Sequence, residues 1–243
     1  MVVSAHPLAS EVGINILKKG GNAADATIAV QFALAVVYPS AGNIGGGGFF
    51  VYRTKDGYCS TLDFREKAPL TSTRDMYLDS SNNVINNLSL YSHLAVGVPG
   101  TVDGMVNIHK KYGQLPWKEL VQPAIDLATN GFELTRLEAN KLNRFNKTKG
   151  KINKNSEYYK EHFSEGDSIF LPQLSKTLIL IRDHERAGFY SGKTAKMLVK
   201  EMSLNGGNIT QQDLDSYQSI WRDPIIGFYK GCLLYTSDAA DEG

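Results

Sequence analysis

Residues 62–69 read Leu62-Asp63-Phe64-Arg65-Glu66-Lys67-Ala68-Pro69, and Arg65 is the side chain here best suited to chemistry. It falls at the end of a strand-like stretch and just before a loop, where binding residues concentrate. A guanidinium is charged at every working pH and grips a carboxylate through two parallel hydrogen bonds. The position therefore suits an anionic small molecule. Taken alone, the residue types favour an internal ion pair with Glu66 or a neighbour over a substrate clamp.

Other candidates fit their chemistry less well. The cluster Gly42-Asn43-Ile44-Gly45-Gly46-Gly47-Gly48 invites a phosphate-binding reading. Such a loop follows a strand and opens a helix, so that the helix N-terminus faces the phosphates. Here the order is helix, glycines, strand, and Phe50 stands where the third glycine counted from Gly45 belongs. Close approach of another backbone or a ligand is the better explanation. Gly192-Lys193-Thr194 imitates the end of a Walker A loop, but Ala187 occupies the place of its first glycine, so an ordinary helix start is expected. Arg144, Lys147, Lys149, Lys151 and Lys154 form a basic run in which Phe145 alone could stack on a base. A solvated loop is expected there, with no nucleic-acid partner. His6, His93, His109, His162 and His184 have no metal-ligand spacing, and Cys59 and Cys232 cannot make a tetrahedral site. No metal or cofactor is expected.

The elements that must position Arg65 follow from the pattern around it. The chain has 243 residues, 42% hydrophobic and 21% charged, which argues against disorder. Its net charge of +1 gives no electrostatic reason for a nucleic-acid partner. No apolar run approaches the ~20 residues of a membrane span, and the first residues lack the pattern of a signal peptide. The spacing predicts a helix over Pro7 to Lys19, with Leu8, Val12 and Ile16 on one face and Gly20-Gly21 as its stop. Asn22 and Asp25 cap a second helix, Ala23 to Val37, which is apolar nearly all round and so belongs at the centre of a layered fold. A hairpin is predicted from Phe49–Arg53 and Tyr58–Phe64 about the Lys55-Asp56-Gly57 turn. Gly97-Val98-Pro99-Gly100 opens a long helical region. Within it, Thr135 with Glu138 and Thr210 with Asp213 have capping-box spacing. Pro172 opens a helix to about His184 with Gly188 past its end, and another covers Lys193 to Ser203. Ile220 to Lys230 reads as a strand or hairpin. The class is α+β, with helices packed on an antiparallel sheet.

Several phrases together resemble the large subunit of the γ-glutamyltranspeptidase family. They are Ile16-Leu17-Lys18-Lys19-Gly20-Gly21-Asn22-Ala23-Ala24-Asp25-Ala26, Ala41 to Phe49, Asp63 to Pro69, and Gly97 to Val102. Further matches are Tyr112-Gly113 with Val121-Gln122-Pro123-Ala124, and Phe189-Tyr190-Ser191-Gly192. They run in order from about Met1 to Gly231. The resemblance implies an N-terminal-nucleophile hydrolase, an αββα sandwich that is incomplete here, with residues 1–231 as part of the large subunit. It implies a precursor that cuts itself, leaving a terminal threonine on the small subunit as nucleophile with its own amine as base. It implies transfer of a γ-glutamyl group from glutathione or related amides to water or an amino-acid acceptor. Arg65 matches the family arginine that binds the donor's α-carboxylate, which turns the balance toward the clamp, and Glu66 becomes the candidate orienter of Arg65. No catalytic residue is expected in this chain, because the nucleophile and amino-group ligands belong to the absent small subunit. The chain alone is expected to be inactive and to fold poorly. Any leader and first strand would lie upstream, and a periplasmic or extracellular location is implied. Two alternatives stand beside this: a glutaryl or cephalosporin acylase of the same fold, and a non-catalytic scaffold.

Residues 232–243 read differently. Cys232 to Glu242 resembles the translation of a transposase adapter, so this segment is expected to be a non-native tail outside the fold.

Overall fold

The computed structural model describes residues 1–149 and 162–236, with no account of the side chains of 148 and 149. Helix α1 (Pro7–Lys18) begins with proline at its first position and is capped by His6, whose Nδ1 accepts the Leu8 N–H at 3.2 Å. Helix α2 (Ala23–Val37) opens on a full capping box. Asn22 Oδ1 accepts the Asp25 N–H, and Asp25 Oδ2 accepts the Asn22 N–H. The other Asp25 oxygen takes the Gln114 N–H at 3.0 Å, so this fully buried carboxylate has its bonds supplied by backbone. Ile28, Phe32 and Val36 of α2 are wholly buried, as a helix apolar on every side requires.

Strands β1 (Phe49–Arg53) and β2 (Cys59–Asp63) pair antiparallel, with Phe50 opposite Leu62. A long irregular stretch follows, holding a short turn of helix, α3 (Leu88–Tyr91), and a 3-10 turn at His93–Ala95. Helix α4 (Thr101–Tyr112) then buries its first half, including Thr101, Val102, Asp103 and Met105. Helix α5 (Trp117–Asn130) packs on α2, with the Trp117 ring edge-on to Phe32 at 5.7 Å. The two-residue strand β3 (Phe132–Glu133) follows, and helix α6 (Arg136–Lys149) starts from the Thr135–Glu138 capping box.

Strand β4 (Ser168–Ile169) pairs with β3. Helices α7 (Pro172–His184), α8 (Ala187–Tyr190), α9 (Gly192–Leu204) and α10 (Gln211–Ser216) complete the helical layer. Strand β5 (Ile220–Arg222) joins the far edge of β2, giving a three-stranded antiparallel sheet in the order β1-β2-β5. Strands β6 (Ile225–Tyr229) and β7 (Cys232–Thr236) form a separate hairpin. Phe50 and Leu62 join the one hydrophobic core that also contains α2, α4 and α5.

Gly188 falls past the end of α7 as expected, inside the short α8, where a Cβ would come 2.1 Å from Leu180 O. Two local expectations are corrected. Arg144 and Lys147 sit exposed on α6 rather than in a loop, because Ala139 and Leu142 give that helix a buried face despite its charge. Lys151 and Lys154 lie outside the described residues. The 220–230 stretch does not fold on itself: β5 pairs back to β2, while β6 pairs forward with residues 232–236, which form a strand. Residues 237–243 are outside the described residues.

Candidate functional site

Arg65 lies two residues past the end of β2, with its side chain exposed. Its peptide is held from both sides. The Arg65 N–H donates to Asp63 Oδ1 at 3.1 Å, and the Tyr217 hydroxyl donates to Arg65 O at 2.8 Å. Asp63 is itself fixed across the sheet, where Arg222 Nε and Nη2 reach its Oδ2 at 3.0 and 2.9 Å. The next residues are tied as well. Lys67 exchanges both backbone bonds with Val98, and its Nζ donates to Gln218 O at 2.8 Å.

The glycine cluster explains how the seat is made. Gly47 lies directly under the Arg65 backbone: a Cβ there would stand 2.4 Å from Phe64 O and 2.8 Å from Arg65 Cα. Gly48 exchanges backbone bonds with Phe64, and Gly46 O accepts the N–H groups of Gly100 and Thr101 at the start of α4. Asn43 Oδ1 braces the loop by accepting the Gly46 N–H and the Thr101 hydroxyl. The close approach expected of these glycines is thus to another backbone, the one carrying Arg65. At Gly100 a Cβ would meet Phe64 O and Tyr217 Oη, each at 2.0 Å. Only glycine fits either place without moving the seat.

Behind the seat stands a buried polar group that sequence reading missed. Asp103, 2% exposed, pairs with Arg186 Nε at 2.7 Å and accepts the backbone N–H and hydroxyl of Ser219 at 2.7 Å each. Arg186 Nη2 also donates to Tyr217 O at 2.6 Å. The Tyr190 ring stacks on Tyr217 at 5.8 Å, and its hydroxyl donates to Pro99 O. Burial, reinforced by the Asp103 carboxylate, pushes the Tyr190 phenol far above its ordinary range; burial, with Asp103, Asp63 and Glu66, does the same to Tyr217. Both phenols therefore remain donors at any working pH. Tyr190 falls in the Phe189-Tyr190-Ser191-Gly192 phrase, but positions 103, 186, 217 and 219 share no motif that could have announced them.

Glu66 is exposed beside Arg65, with its Cβ against Gly97. Among the described residues no group of three metal-ligating side chains converges, and no helix is long and apolar enough to cross a membrane.

Helices sharing one core with a three-stranded antiparallel sheet form a fold that solved structures place in a known class. The chain matches Helicobacter pylori γ-glutamyltranspeptidase with TM-score 0.95 and 44% identity, over 99% of this chain and 70% of that one. It matches cephalosporin acylase from Bacillus halodurans with TM-score 0.81 and 26% identity, over 95% of this chain and 44% of that one. The class is the N-terminal-nucleophile hydrolase fold, of which this chain forms part. A sequence profile described as Gamma-glutamyltranspeptidase matches residues 9–243, and the chain belongs to that family. The glutathione hydrolase proenzymes of Escherichia coli (strain K12) and Pseudomonas sp. (strain A14) are 42% and 46% identical to it over 247 residues. Both alignments use the whole of this chain and 43% of the relative, so it spans less than half of their length.

Proposed function

We propose that the protein carrying this chain transfers a γ-glutamyl group from glutathione or a related amide to water or an amino-acid acceptor. Arg65 binds the donor's α-carboxylate, and Glu66 orients Arg65. The nucleophile is a threonine exposed by cleavage of the precursor, on a small subunit beyond this chain, with its own α-amine as base. The acyl-enzyme formed by that threonine is then resolved by water or amine. This chain contributes no reacting atom. Its part is to fix the donor so that the γ-carbonyl meets the nucleophile in one orientation. A periplasmic or extracellular location goes with this reading, and fractionation of the source cell tests it.

The observation that carries the reading is the Arg65 seat. An exposed guanidinium stands on a peptide bonded on both sides and bedded on glycine, in a chain collinear with a family that includes glutathione hydrolase proenzymes. In the full-length processed enzyme, Arg65→Ala should cost about 2–5 kcal/mol in kcat/KM for a γ-glutamyl anilide. Unchanged kinetics would remove Arg65 from the site. The chain by itself should release no p-nitroaniline from that substrate.

The structural match to cephalosporin acylase favours a second reading, in which the same arginine holds the free carboxylate of a glutaryl group. Comparing γ-glutamyl with glutaryl anilides separates the two, since they differ only by the α-amino group. We further propose that residues 232–243 are adapter-derived rather than native. In the sheet β7 pairs with β6 alone and all five of its residues are exposed, although the family match runs across them. Codons that do not spell an adapter would overturn this.

A further inference from the structure

We infer that Tyr217 is a positioning residue for Arg65, and that the segment 217–222 works as a strap setting the direction of the guanidinium. This rests on the carboxylate-clamp reading and names what aims the clamp. The strap meets the Arg65 segment at three alternate residues of that segment. Arg222 reaches Asp63, the Tyr217 hydroxyl reaches Arg65 O, and Gln218 O receives Lys67 Nζ. The Lys67 ammonium also lies 5.1 Å over the Tyr217 ring.

The strap is fixed from behind. Tyr217 is 2% exposed and its ring stacks on the wholly buried Tyr190. Its carbonyl receives Arg186 Nη2, and two residues on, Ser219 is locked to Asp103 through backbone and hydroxyl. Arg186 joins these anchors, because its Nε pairs with the same Asp103. The Tyr217 hydroxyl therefore arrives at Arg65 O from a frame with little freedom. A bond to the carbonyl of Arg65 fixes the peptide plane after its Cα, while Asp63 fixes the one before it. Together they set the Cα–Cβ vector along which the side chain leaves.

A tether of this kind acts on binding of the carboxylate and leaves the acyl chemistry alone, which gives a readout a general structural role would not produce. In the full-length processed enzyme, Tyr217→Phe should raise KM for a γ-glutamyl anilide about five- to tenfold, with kcat within about twofold. The 4-aminobutyryl anilide, which lacks the α-carboxylate, should respond to neither Tyr217→Phe nor Arg65→Ala. In an Arg65→Ala background, Tyr217→Phe should add nothing to the loss on the γ-glutamyl donor. Equal losses on both donors would assign Tyr217 a general structural role and overturn the inference. An unchanged KM in Tyr217→Phe, with Arg65→Ala still impaired, would overturn it too while the clamp stands. An Arg65→Ala enzyme with normal KM would overturn clamp and tether together. Should Tyr217→Phe fail to accumulate, Arg186→Lys takes its place with the same expected and overturning results, because it keeps charge beside Asp103 and loses the bond to Tyr217 O.

Discussion

The layer of α1, α2 and α5 and the seat of Arg65 are built from opposite materials. In the layer, contacts are between side chains: Ile28, Phe32, Val36, Leu120 and Ala124 are all wholly buried. Its one buried charge, Asp25, is absorbed by backbone N–H groups. In the seat, contacts are between main chains, with Gly47 and Gly100 against Phe64 and Arg65, and the side chains present are polar anchors such as Asp63, Asp103 and Tyr217. The layer supplies stability in proportion to area and tolerates small repacking. In the proposed reading the seat supplies direction instead, so that stability and aim are separable.

Four substitutions test that separation in the full-length protein. Phe32→Ala should have the largest effect, a loss of about 3–5 kcal/mol read by chemical denaturation, because it leaves a cavity beside Trp117. The donor KM of the molecules that remain folded should hold. A KM that moved with stability would break the comparison. Gly100→Ala should cost less, about 1–3 kcal/mol, through overpacking against Phe64 O and the Tyr217 hydroxyl. Its donor KM should rise while that of Phe32→Ala does not.

Next comes a pH effect. Asp213 lies below its ordinary 3.8: burial opposes the shift, but bonds from the Leu70 N–H and the Thr210 hydroxyl and N–H outweigh it. A depressed carboxyl contributes stability that is complete above 3.8 and lost as pH falls through the lower folded-state value. Asp213→Asn should cost about 1 kcal/mol near neutrality and flatten that acid decline, checked by denaturation at a series of pH values. A decline of unchanged slope would show that Asp213 takes no part in it. The smallest effect belongs to the hairpin. Ile226 is 56% exposed, and Ile226→Ser should change stability by no more than about 0.5 kcal/mol. A larger loss would mean that this face is covered.

What the sequence disclosed divides along the same line. The layer was legible because its signals are local: Pro7 at a first turn, the Asn22–Asp25 box, an unbroken apolar run, and Thr210 three residues before Asp213. Helix α6 was hidden by charge, since Arg144 and Lys147 mask the two buried positions that define its face. Of the seat, Arg65 and the glycines could be named, but not what joined them. Gly47 meets Arg65 across the sheet, and Tyr217 meets it across 152 residues. Such pairings follow from topology, to which residue type and spacing give no key. Asp103, Arg186 and Ser219 each look like ordinary surface residues until the fold closes over them.

The distance between Arg65 and Tyr217 also sets an order in time. A ribosome adding about 5–20 residues per second needs roughly 8–30 seconds to travel from one to the other. Throughout that interval α1, α2 and the β1–β2 hairpin have been synthesised, while Arg65 waits for the Tyr217 hydroxyl. A nascent chain halted before Tyr217 would carry Arg65 without the hydroxyl that bonds its carbonyl.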